Sequence, residues 1–120
     1  MDDLVSSYAS EYGLFRTDIG HCRPTGGESV VALGERIKAA ASRIVSENEG
    51  KTVLIGTHAT PIRVLGALWN GLPFEETARI PWAQNASTTV VEYEGGSPRL
   101  LLYGYNDYLG RLMTRMPAIV

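Results

Sequence analysis

Cysteine is nearly absent: Cys22 stands alone, so the chain can form no internal disulfide and cannot build a zinc site of the multi-cysteine kind. Long apolar runs are missing too. None approaches the ~20 residues that span a bilayer, and the opening Met1-Asp2-Asp3-Leu4 has neither the basic region nor the apolar core of a signal peptide. Nor is there an excess of one charge. The net charge of -2 comes from 13 acidic and 11 basic side chains dispersed along the sequence, which leaves no basic stripe for nucleic acid or an anionic membrane. Trp69, Trp82, Tyr93, Tyr103, Tyr105 and Tyr108 are scattered without interleaved positive charge, unlike a base-stacking platform. Internal repeats and low-complexity stretches are also lacking. These absences predict a cytoplasmic protein with no nucleic-acid or membrane partner.

What remains has the make-up of one compact domain, with 44% apolar and 20% charged residues among 120. Leu4, Val5, Tyr8 and Tyr12 have a helical spacing from Asp3 to about Tyr12. Gly20, Pro24, Gly26 and Gly27 then interrupt any period, so residues 13–27 are expected to form a long loop. From about Ser29 to Asn48 the residues Val30, Leu33, Ile37, Ala40, Ala41, Ile44 and Val45 fall on one stripe, the clearest helix in the chain. Gly50 follows at the place of a left-handed cap, and Thr52-Val53-Leu54-Ile55-Gly56 is a short apolar run suited to a strand covered on both faces.

Thr60 is placed as the N-cap of a further helix, with Pro61 in its first turn and Ile62, Leu65, Leu68 and Trp69 on its apolar stripe. Gly71, Pro73 and Pro81 punctuate a connector. The runs Thr88 to Tyr93 and Arg99 to Tyr103, joined across Gly95-Gly96, predict an antiparallel hairpin. The stretch from Gly110 to Val120 has no period and is expected to lie on the surface or fray.

His58 occupies the junction between the apolar run and the helix after it. The first N–H groups of a helix lack internal partners and carry partial positive charge, so a strand-to-helix turn can hold an anion. A histidine there can donate to a phosphate oxygen, and it can equally be a structural surface residue. Glu28 at the start of the long helix is read as a structural carboxylate, favourable beside the N-terminal dipole. His21 and Cys22 match no zinc spacing, and no base is identifiable for Cys22 as a nucleophile.

The motifs Pro24-Thr25-Gly26-Gly27-Glu28-Ser29, Thr52-Val53-Leu54-Ile55-Gly56-Thr57-His58-Ala59, Ile62-Arg63 and Asn85-Ala86-Ser87 occur in an order that resembles the C-terminal part of the histidine phosphatase superfamily, the phosphoglycerate-mutase-like proteins. That resemblance implies an α/β protein, specifically an incomplete three-layer α/β/α domain with a central, mostly parallel sheet and a C-terminal hairpin. It makes residues 1–120 one partial domain.

The resemblance also implies phosphomonoester hydrolysis or phosphoryl transfer through a phosphohistidine. By it, His58 corresponds to the second histidine of the pocket, with Ala59, where the family usually has glycine, and Arg63 as substrate contacts. No cofactor or metal is implied, and the small-molecule partner is a phosphorylated compound. The family's arginine-histidine-glycine triplet, which bears the nucleophile, is not found in this sequence, nor is a matching general acid. His21 lies in the wrong order to replace it. The chain alone is therefore expected to be inactive, with a non-catalytic phosphate-binding or protein-interaction domain as the alternative. A missing central strand further predicts self-association or a completing chain.

Overall fold

The computed structural model describes residues 2–114. Helices α1 (Asp2–Ser7) and α2 (Ala9–Thr17) are separated by a break at Tyr8, whose backbone is not helical. The expected long loop is thereby shortened. Gly13 is tolerated inside α2, and the chain then makes a 3-10 turn at Ile19–His21. The stretch from Cys22 to Ser29 is the true connection, closed by the Val30 N–H donating to the Cys22 carbonyl at 3.1 Å.

Helix α3 (Val30–Glu47) follows the periodicity closely. Ser29, in extended conformation, starts it by accepting the Ala32 N–H on its Oγ at 3.1 Å, the usual service of an N-cap serine. Val30 is buried, and Val31, Leu33 and Ile37 pack beside it on a core of Ile19, Cys22, Val64 and Phe74. Helix α4 (Ala59–Trp69) crosses this core through Val64 and Ala67, both fully buried. Its N-cap is His58 rather than Thr60, because the helix starts two residues earlier than the Thr-Pro signal suggests. It ends in a Schellman arrangement: Gly71 has φ +70°, its N–H donates to the Leu68 carbonyl, and the Leu72 N–H donates to the Ala67 carbonyl.

The connector after α4 holds a 3-10 turn, Phe74–Arg79, that the sequence reading does not contain. Thr77, fully buried, fastens it by donating its hydroxyl to the Phe74 carbonyl at 2.7 Å. The predicted hairpin is present as strands β1 (Thr88–Glu94) and β2 (Ser97–Tyr105). Gly95 and Gly96, at φ +56° and +81°, make a two-residue turn of the type that needs positive φ at both positions. Two register shifts, between Thr88 and Val90 and between Val90 and Val91, give β2 extra residues. The hairpin joins α4 where Trp69 Nε1 donates to the Tyr93 hydroxyl at 3.0 Å. Further 3-10 turns fill Asp107–Leu112, and residues 115–120 of the expected fraying tail lie outside the described residues.

The strand expected at Thr52 to Gly56 is not formed. Among the described residues the one sheet is this two-stranded antiparallel hairpin, so the mostly parallel central sheet is not seen. Residues 51–58 run without helix, turn, bend or ladder, and all are exposed. The reason is physical: a strand exists only as one side of a ladder, and among the described residues no backbone pairs with this one. The fold is thus mixed α/β, and no described helix is long and apolar enough to cross a membrane.

Candidate functional site

The bare run ends at His58, whose backbone at φ -120° and ψ 166° is still extended while its carbonyl accepts the Ile62 N–H at 3.2 Å. No side chain caps this end of α4. The exposed imidazole and the half-exposed Ala59 therefore stand at the positive end of an 11-residue helix. Chemically, this places a neutral or cationic donor beside oriented peptide dipoles, an arrangement suited to an anion such as a phosphoryl group. The methyl of Ala59 narrows the approach that a glycine would leave open.

Arg63 does not share that exposure. It lies one turn into α4, is 9% exposed, and its guanidinium points into the protein. Nε donates to the Ile80 carbonyl at 2.5 Å, and Nη2 donates to the Ala78 carbonyl at 2.9 Å. The Trp82 ring lies beneath the guanidinium, 4.4 Å from its carbon to the ring centroid, and Phe15 packs beyond that ring. Burial lowers the guanidinium's pKa from its ordinary value, and the Tyr103 phenol acts in the opposite direction. The same burial pushes Tyr103 up to about 12, so its hydroxyl stays protonated and donates to the Pro81 carbonyl at 2.7 Å. Arg63 and Tyr103 together pin the connector 78–81 against α4. Sequence spacing alone could not show this direction, since an Ile-Arg step on a helix fits either face.

The remaining candidates are occupied elsewhere. Glu28 grips Arg36 through two hydrogen bonds of 2.9 and 2.8 Å, which lowers its carboxyl pKa and makes it the structural carboxylate expected. His21 Nδ1 is paired with Asp18 at 2.9 Å, raising the imidazole's pKa. Cys22 is 3% exposed in the core, and burial pushes its thiol up, the opposite of an activated nucleophile. Among the described residues no three His, Cys, Asp or Glu side chains gather as a metal site. Glu11 accepts both the N–H and the hydroxyl of Thr25, at 2.7 and 2.5 Å. That link ties α2 to the Pro24-Thr25-Gly26-Gly27-Glu28-Ser29 motif, and no sequence period foretells a contact between residues so placed.

Asn85-Ala86-Ser87, the last motif, forms a turn closed by the Ser87 N–H on the Gln84 carbonyl at 3.2 Å. Ala86 there has φ +52°, and its carbonyl accepts the Tyr108 hydroxyl.

The histidine phosphatase superfamily (branch 1) model matches residues 1–106. The chain belongs to that superfamily. Among solved structures it is similar to Bacillus stearothermophilus YhfR, with 26% identity and a TM-score of 0.79. That similarity covers 86% of this chain and 51% of YhfR, so the chain spans about half the length of that relative. Among curated proteins none matches.

Proposed function

We propose that this histidine phosphatase chain supplies the second-histidine side of a phosphoryl-transfer site acting on a phosphorylated small molecule. The observation that carries the reading is His58 itself, an exposed imidazole at the uncapped start of α4. In phosphomonoester hydrolysis or phosphoryl transfer, negative charge is spread over the oxygens of the moving group, and fixed donors directed at those oxygens lower the barrier. His58 is such a donor, with the Ala59 amide as a second contact. Arg63 serves by holding α4 and its connector in place, its guanidinium being engaged by two carbonyls. A three-layer α/β/α domain with a mostly parallel sheet is the completed setting for this chemistry. A reducing cytoplasm suits its single buried thiol.

The nucleophilic histidine is not found in this sequence, so the chain alone is expected to bind phosphate without turnover. A titration of inorganic phosphate followed through the His58 ring proton resonances should show a saturable shift that His58→Ala removes, while p-nitrophenyl phosphate hydrolysis stays at background. No shift at His58 defeats the reading. Robust turnover lost in His58→Ala defeats the claim of incompleteness.

A further inference from the structure

Away from the start of α4, the segment before α3 builds a cavity of its own. Tyr8, Tyr12 and Phe15 recur at intervals of four and three residues, which sets them along one side of α2 from its N-cap onward. With Glu11, Cys22, Pro24 and Thr25 they line a cavity of ≈ 350 Å³ whose walls are mostly apolar. Small-molecule sites begin at about this size, ~300 Å³. Neither His58 nor Ala59 is among its walls. Glu11 is the one carboxylate there, and the two Thr25 donors hold its pKa below the ordinary 4.5, so it is charged at neutral pH. That charge reaches the buried floor, where it adds to burial in pushing the Cys22 thiol up. Among the described residues no basic side chain forms an ion pair with Glu11. The Arg16 guanidinium carbon stands 5.8 Å from the Tyr12 ring centroid, inside the ~6 Å over which an aromatic face attracts a cation.

These walls sort their guests by charge and by hydrogen-bonding need. An anion is repelled by Glu11. A neutral apolar guest fits the rings but strips water from a carboxylate and returns nothing to it. A primary ammonium answers the charge, yet most of its N–H donors face apolar walls that cannot replace their water. A quaternary ammonium has no N–H to leave unpaired, offers alkyl groups to the rings and presents its charge to ring faces and carboxylate together. We infer that this cavity is a site for a small quaternary ammonium compound, its cationic head held among the Tyr8, Tyr12 and Phe15 rings and beside Glu11. The site binds in this way whether or not His58 meets a phosphate.

Choline and its neutral isostere 3,3-dimethyl-1-butanol, titrated separately into the 120-residue chain, provide the test. The Tyr8 and Tyr12 ring resonances are the readout, and circular dichroism checks that each variant is folded. Choline should give a saturable shift and bind about tenfold more tightly than the isostere, the span of cation–π contacts in a partly desolvated site. Glu11→Gln should weaken choline towards the isostere and leave the isostere's own binding unchanged. Tyr12→Phe should keep choline binding, and Tyr12→Ala should lose about tenfold. Equal affinities for the two guests overturn the inference, since the cavity then selects only for apolar surface. A choline titration of the folded chain without a saturable shift overturns it as well. So does a preference for choline that survives intact in both Glu11→Gln and Tyr12→Ala, which would seat the cation elsewhere.

Discussion

At the scale of single residues, Arg63 carries the largest predicted effect. Its removal leaves the carbonyls of Ala78 and Ile80 without their donors and takes the cation from the Trp82 face. Orphaned buried carbonyls and a lost charged hydrogen-bond pair together cost about 3 kcal/mol in Arg63→Ala, measurable by urea denaturation. Arg63→Lys should recover only part of this, since an ammonium cannot span two carbonyls with a planar fork. Glu11 makes a pH-dependent contribution of definite sign. The Thr25 donors hold its carboxyl pKa below the ordinary 4.5, so the link contributes fully above pH 4.5 and is lost as pH falls through the lower folded value. Thermal midpoints recorded from about pH 6 to about pH 3 should fall less steeply for Glu11→Gln than for the native chain. Equal slopes would show that the Thr25 contact is not maintained in solution.

Among elements, α3 depends on its first residue. Ser29→Ala removes the one side-chain acceptor at that N-terminus and should cost about 1 kcal/mol by chemical denaturation, with Ser29→Asp close to neutral. This helix was legible because period, cap and Gly50 all agree within one short window, and the hairpin was legible for the same reason. The 3-10 turn at Phe74–Arg79 was not, since its anchor is the buried Thr77 hydroxyl and burial there depends on contacts with distant residues. The run Thr52 to Gly56 has a strand's composition and yet forms no strand here. Composition records what a segment can pair with, while pairing requires the neighbour itself. Likewise, the junction holding His58 could be located from the order of apolar run and helix, but whether Arg63 faces substrate or core is decided by the connector that folds over it.

For the whole molecule, stability and association are parts of one question. A chain of this length has little stability to spare, and any polypeptide that binds only the folded form adds to it, by about 2.7 kcal/mol at a hundredfold excess over its dissociation constant. The uncovered run also has a consequence for the protein at high concentration. Val53, Leu54 and Ile55 form an uncharged β-prone stretch with Lys51 before it and His58 after it, the composition from which cross-β stacks nucleate. Lys51 places a charge beside this run, and flanking charges of that kind oppose such stacking.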